Sequence, residues 1–215
     1  MHSTRRQIEA ALAEEDRGSH APFVKFAQLY LGLSENPPLP QTLEDVRCIY
    51  DSVVADAIAP DDRPGEYLFR TGPVQVINQH GRTVHKGVYP KERIEQMMQE
   101  WLLLSQDENV PELYSAILCH FLFGYIHPYF DGNGRTGRYL LALQLSRPLS
   151  QPTVLSLSRV IAENKAAYYR AFDATERPLN RGDATSFVIT LIDLISDAQD
   201  GLIVNLEEKR ALWMV

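Results

Sequence analysis

The sequence predicts an all-α fold interrupted by one β-hairpin. Apolar residues recur at helical spacing along most of its 215 residues. One stretch, 67–89, changes to a β-branched and aromatic composition around a turn-forming tetrapeptide. No internal repeat or low-complexity tract breaks the pattern.

Residues 3–15 have the pattern of a polar amphipathic helix. His20–Leu33 follows, with Phe23, Phe26, Ala27 and Tyr30 on one face. The run NPPLP, Asn36–Pro40, stops helix formation. It divides an N-terminal helical extension, 1–38, from the main body, 39–203. Thr42-Leu43-Glu44-Asp45 has a capping-box pattern and opens a helix with Val46, Ile49, Val53 and Ala57 as its stripe. PDDRPG, Pro60–Gly65, ends it. Tyr67–Ile77 and Arg82–Tyr89 read as the two strands, joined at Asn78–Gly81. Such a hairpin is marginal alone and must lean on helices or await a partner strand.

Pro90 suits the start of the next helix, whose stripe is Ile94, Met97, Met98, Trp101 and Leu102. Pro111 starts another. There Leu113, Tyr114, Ile117, Leu118, Phe121, Leu122 and Tyr125 cover so much of the surface that the helix must be central. Helices are expected over Arg135–Leu145, with Tyr139, Leu140, Ala142 and Leu143 for packing, and over Ser158–Ala174, with Tyr168, Tyr169 and Phe172. Asp183 caps one more, burying Phe187, Leu191, Leu194 and Ile195. A short helix at Leu206–Trp213 lies in a C-terminal segment, 204–215.

The composition excludes several classes. A formal charge of −7 argues against a general nucleic-acid surface. No apolar run reaches membrane-spanning length, and the N-terminus lacks a signal-peptide core, so the chain reads as soluble and cytoplasmic. Cys48 and Cys119 fall in apolar helical patterns and read as reduced core residues. There is no P-loop and no HExxH. His120 reads as a core or helix-surface histidine, and His80 and His85 as solvated hairpin residues.

One short stretch, HPYFDGNGRTGR, His127–Arg138, exceeds what a turn between helices needs. A helix N-terminus presents unpaired N–H groups and about half a positive charge. Gly132 and Gly134 remove side chains where an anion would approach, and Asn133 adds a donor. Arg135 and Arg138 flank the same helix end and suit phosphate oxygens. Asp131 suits a Mg²⁺ ion shared with phosphates. His127, with an ordinary pKa of about 6.5, suits a general base for an incoming hydroxyl. The implied reaction moves a phosphate-containing group from a nucleotide to a hydroxyl.

The stretch closely resembles the Fic motif, HPFxDGNGRxxR, with Tyr129 in place of the usual Phe. The resemblance covers about residues 40–200. The hairpin, at about 67–89, is similar to the Fic flap, and LSRVIAENKAAYYRAF, Leu157–Phe172, to the helix after the motif. The resemblance implies a Fic-type helical bundle and Mg²⁺-dependent transfer of AMP from ATP to a Ser, Thr or Tyr hydroxyl of a target protein. By position, His127 would be the base and Asp131 the Mg²⁺ ligand. Phe130, Gly132, Asn133, Gly134, Arg135 and Arg138 would bind the nucleotide, with Arg135 near the β-phosphate and Arg138 at the γ-phosphate. Tyr129 would anchor the loop in the core, its hydroxyl needing a partner. Val84–Tyr89 would pair with an extended target segment by strand addition. Doc-like kinases of the family carry a lysine at the position of Gly134 and lack the last arginine. The same fold could transfer phosphate, another nucleotide or phosphocholine, or bind nucleotide silently.

Many members carry an inhibitory helix, [S/T]xxxE[G/N]. Glu35-Asn36, Glu108-Asn109 and Glu163-Asn164 lack its Ser or Thr, and the nearest match, Ser196–Gly201, has the shorter Asp200 for the glutamate and reads as a helix end, with an inhibitory contact to Arg138 as the alternative. A separate antitoxin chain supplying that glutamate, with this chain as the toxin, is a further expectation.

Overall fold

The structure, a computed structural model, describes residues 24–55, 57–58, 62–77 and 81–213. The expected helix at 3–15, Phe23, His80 and most of the hairpin turn lie outside them. Eight α-helices and one two-stranded sheet are described: α1 (Val24–Leu31), α2 (Leu43–Val54), β1 (Gln75–Ile77), β2 (Thr83–Lys86), α3 (Lys91–Ser105), α4 (Glu112–Ile126), α5 (Asn133–Leu145), α6 (Gln151–Glu163), α7 (Lys165–Glu176) and α8 (Thr185–Trp213).

Helix α4 is central. Its apolar surface packs against α3, α5 and α8. Buried residues face several directions, among them Ala116, Ile117, Cys119, Phe121, Phe123 and Ile126, which is why its composition looks uniformly apolar. Trp101 on α3 donates its indole N–H to the Cys119 carbonyl at 2.8 Å and so fixes α3 along α4. The capping box forms at α2. The Thr42 hydroxyl accepts from the Asp45 N–H at 3.1 Å, and the Asp45 carboxylate accepts from the Thr42 N–H at 3.0 Å. Asp183 likewise accepts from the Thr185 N–H at 2.8 Å as α8 begins.

Several expectations are corrected. Helix α2 ends at Val54, so Ala57 is exposed. Its buried stripe is Leu43, Val46, Tyr50, Val53 and Val54. Cys48 lies on the outer face of α2 and is exposed, whereas Cys119 is buried. Ser158–Ala174 is not one helix. Asn164 leaves helical geometry (φ −106°, ψ 29°), its side chain donates to the Val160 carbonyl, and α7 starts anew at Lys165. Leu206–Trp213 continues α8 without a break, and Ser196–Gly201 is the middle of that 29-residue helix. The strands are far shorter than their composition suggests. Residues before β1 turn instead to the end of α4, where the Arg70 N–H donates to the Pro128 carbonyl at 3.0 Å. A backbone group spent there cannot join a ladder.

Two buried tyrosines differ in a testable way. Tyr168 of α7 sets its hydroxyl 2.6 Å from His120 Nε2. The other nitrogen of His120, Nδ1, lies 3.0 Å from the Gly137 carbonyl of α5. A carbonyl only accepts, so Nδ1 carries the proton and Nε2 accepts from the phenol. This polar bridge joins α4, α5 and α7 beside the rings of Phe172 and Phe187. Tyr129 is also buried, stacked on Tyr50 with centroids 3.6 Å apart, yet its hydroxyl has no hydrogen-bond partner among the described residues. Loss of a bonded buried hydroxyl leaves its partner unsatisfied, at about 1–3 kcal/mol, whereas an unbonded hydroxyl has only a desolvation cost to lose. Tyr168→Phe should therefore lower the unfolding free energy by about 1–3 kcal/mol, and Tyr129→Phe should leave it unchanged or raise it. Urea unfolding of both variants checks the contrast.

Candidate active site

The site begins where α4 stops. His127 caps that helix in the left-handed region (φ 54°, ψ 60°) and donates its N–H to the Phe123 carbonyl at 3.0 Å. Left-handed geometry is uncommon for a non-glycine residue and needs support from its surroundings. Arg70 supplies it. Its guanidinium, with no exposed surface, donates to the carbonyls of His127 at 2.8 Å, Gly72 at 2.6 Å and Ile126 at 3.4 Å, and to that of Val88. The chain after β2 passes close by. A Cβ on Gly87 would stand 2.6 Å from the Arg70 guanidinium and 3.0 Å from His127 Cβ. Glycine is required there for this approach.

The His127 ring has a fixed proton. Nδ1 lies 3.3 Å from the Gly124 carbonyl and must donate, which leaves the Nε2 lone pair available as a base. Burial, then the neighbouring His85 and Arg70, lower its pKa to about 4, so the ring is neutral. An anionic occupant beside it would move that value back up.

From His127 the loop turns over a buried aromatic. Tyr129 is wedged among Tyr50, Phe69 and Phe123. Gly132 then takes φ 85°, and a Cβ there would stand 2.6 Å from Val54 and 2.9 Å from Ile58. Its missing side chain thus serves close packing on α2. It does not open space for an anion, as the sequence reading proposed. Asn133 also differs from expectation. Its side chain is buried, accepting from the Tyr129 N–H at 2.9 Å and donating to the Tyr129 carbonyl at 2.8 Å. It clamps the loop.

Helix α5 starts at Asn133, so the Asn133 and Gly134 N–H groups precede any intrahelical acceptor. Gly134 is exposed, and a Cβ there would press on the Arg138 guanidinium at 3.3 Å. Arg135 keeps a buried Nη1 with no hydrogen-bond partner among the described residues, a cationic donor suited to an anion. Arg138 is half-buried and its charge acts on Tyr30, His120 and Tyr168. Phe130 is 39% exposed, its ring near Gly72 at the hairpin base. Asp131 is exposed at the loop's lip and accepts from the Gly132 N–H at 2.6 Å. Among the described residues no cluster of three or more His, Cys, Asp or Glu side chains forms a metal cage. A lone carboxylate fits a hard cation that brings phosphate and water ligands with it.

Sequence reasoning missed Arg70, Gly87, His85 and Glu176. His85 is not solvated. Its ring lies 5.6 Å from that of His127, and its Nδ1 lies 2.8 Å from Glu176 at the end of α7. The only local signal was an arginine set within the apolar run before Gly72.

His120 and His127 are both held neutral, each near pKa 4 against about 6.5 when unfolded. Their stabilisation is complete above pH about 6.5 and is lost as pH falls towards about 4, because only the unfolded chain takes up the protons. Unfolding free energy should fall by about 1.4 kcal/mol per pH unit for each histidine within that window. Urea unfolding between pH 7.5 and 4.5 checks this. His127→Gln should remove about one proton's worth of slope.

Comparison with known proteins agrees with this geometry. The Fic/DOC family profile matches residues 40–145. A protein named protein adenylyltransferase Fic from Drosophila grimshawi is 29% identical over 105 residues, 49% of this chain and 20% of that protein. Its namesake from Drosophila virilis is 26% identical over 204 residues, 93% of this chain and 39% of that protein. The chain thus spans well under half of the curated relatives it matches. A Fic family protein from Desulfovibrio desulfuricans G20 has the same fold, with a TM-score of 0.71 at 22% identity, over 93% of this chain and 59% of that one. With the motif at the α4–α5 junction and the hairpin across it, residues 40–145 of this chain form a domain of the Fic/DOC family.

Proposed function

We propose that the chain is a protein adenylyltransferase that moves AMP from ATP to a Ser, Thr or Tyr hydroxyl of a target protein. The observation that carries this is a neutral His127, its Nδ1 proton committed to Gly124 and its Nε2 free, on the same loop as the start of α5. The names of the adenylyltransferase relatives support it.

In this reading the phosphates lie at the Asn133 and Gly134 N–H groups, with Arg135 and Arg138 taking the outer oxygens. Asp131 holds the Mg²⁺ that accompanies ATP, which supplies charge neutralisation on the phosphates. His127 Nε2 accepts the proton of the target hydroxyl. The hydroxyl oxygen bonds to the α-phosphorus as the α–β bridging bond breaks, and pyrophosphate leaves with its electron pair. The target segment lies along the outer edge of β2 and is held by backbone hydrogen bonds. Gly134 and Arg138 favour AMP transfer over γ-phosphate transfer, since a lysine at the first position and no arginine at the second mark the kinase-like relatives. Arg138 makes no hydrogen bond among the described residues, which leaves its guanidinium for the nucleotide or for a carboxylate offered by a separate antitoxin chain. In that case this chain is the toxin of the pair.

Purified protein with Mg²⁺ and ATP labelled at either the α- or the γ-phosphate, with cell lysate as acceptor, tests the reading. α-Label should appear on protein and fall by at least about 100-fold in His127→Ala, the usual worth of a general base. γ-Label alone would make the chain a kinase. Release of no label and no pyrophosphate would leave a nucleotide-binding module.

A further inference from the structure

The hairpin is weakly built. It has two strands, of three and four residues, with a register irregularity between Val76 and Ile77. Two strands alone are marginal in water. Its base is secured, because Arg70 and the Val88 N–H, 3.1 Å from the Ile126 carbonyl, tie the chain after β2 to the end of α4. Strand β2 itself has one inward residue. Thr83, Val84 and Lys86 are exposed, and only His85 turns to the protein body.

His85 meets Glu176, 91 positions away, at 2.8 Å, with side-chain exposures of 11% and 19%. The two line a cavity of about 260 Å³ with Thr83, Val84, Lys86 and Tyr125. An ionised carboxylate only accepts, so His85 Nδ1 donates. Its Nε2 is buried with no hydrogen-bond partner among the described residues. The ring lies 5.6 Å from His127 and 6.0 Å from Tyr125.

We propose that His85 and Glu176 form a latch that holds β2 across His127, making His85 a positioning residue that sets how a target segment docks beside the base. The proposal rests on the adenylyl-transfer reading for its functional part and on the hairpin geometry for its structural part. Glu176 ends α7, a helix packed on α8, so the latch ties a loosely held strand to a rigid element. Because Arg70 already fixes the His127 backbone and burial is the main cause of its neutral ring, the latch governs chiefly the strand. Losing it therefore weakens docking of the target and leaves nucleotide binding and the chemical step intact.

The test compares wild type, Glu176→Ala and Glu176→Gln as full chains. Gln keeps an oxygen that accepts from Nδ1, and Ala keeps nothing. Hydrogen exchange of the Thr83–Lys86 amides should speed up about 10-fold or more in Glu176→Ala, the factor a charge-assisted hydrogen bond of ordinary strength supplies, and less in Glu176→Gln. Exchange in α4 should stay at the wild-type rate. Transfer of α-label to lysate protein, measured against lysate concentration at saturating ATP, should need about 10-fold more acceptor in Glu176→Ala, reach the same plateau, and recover part of the loss in Glu176→Gln. Unchanged exchange in β2 overturns the latch. Faster exchange with a lowered plateau, or with equal loss at every lysate concentration, overturns the positioning role. No α-label from wild type overturns the adenylyl-transfer reading and the positioning role with it, while the exchange rates still decide the latch.

Discussion

The buried Arg70 guanidinium is the interaction on which the rest of the site depends. A charge removed from water is costly unless its donors are matched, and here carbonyls from three separate stretches match them: Gly72 before the hairpin, Val88 after it, and Ile126 and His127 at the end of α4. One side chain therefore fixes both ends of the hairpin and the backbone of the base. The His127 conformation, with φ at 54°, is stable because Arg70 holds its carbonyl and the Phe123 carbonyl holds its N–H. Burial also lowers the pKa of Arg70, yet its high intrinsic value keeps it charged.

With the start of the loop fixed, the rest follows from packing. Tyr129 fills the space among Tyr50, Phe69 and Phe123, Asn133 clamps the backbone on either side of Tyr129, and Gly132 lets the chain press on α2. The loop thus has an inner face of structural residues and an outer face of N–H groups, Asp131, Arg135 and Arg138. Helix N–H groups held this way need no reorganisation to meet an anion, which is the condition for effective electrostatic stabilisation. The site joins a rigid loop on one side to a two-stranded flap on the other.

Much of this was legible in the sequence. The helix starts at Thr42, Pro90, Pro111 and Asp183 come from local capping and proline chemistry, which acts within a few residues. The central place of α4 comes from its apolar surface, and the motif from the density of unlike polar groups in twelve positions. Long-range matches stayed hidden. Arg70 binds carbonyls 56 and 57 positions away, and His85 binds a carboxylate 91 positions away. No local pattern marks either. The loop's inner and outer faces could not be told apart either, so Gly132 and Asn133 were read as facing a ligand when their side-chain positions face the core. The hairpin was read too long because β-branched composition does not reveal that Tyr67, Arg70 and Gly72 spend backbone groups elsewhere. Asn164 hid a helix break inside an otherwise continuous apolar pattern.

The central claim is that the α4–α5 loop, held by Arg70, presents a phosphate site beside the free Nε2 of His127. A crystal structure with Mg²⁺ and a non-hydrolysable ATP analogue tests it most directly. The account predicts phosphate oxygens on the Asn133 and Gly134 N–H groups, the cation on Asp131, and His127 Nε2 within about one hydroxyl's reach of the α-phosphorus, with the Arg70 bonds unchanged. Nucleotide bound elsewhere, or bound here with the His127 ring turned so that Nε2 is spent on protein, would contradict it.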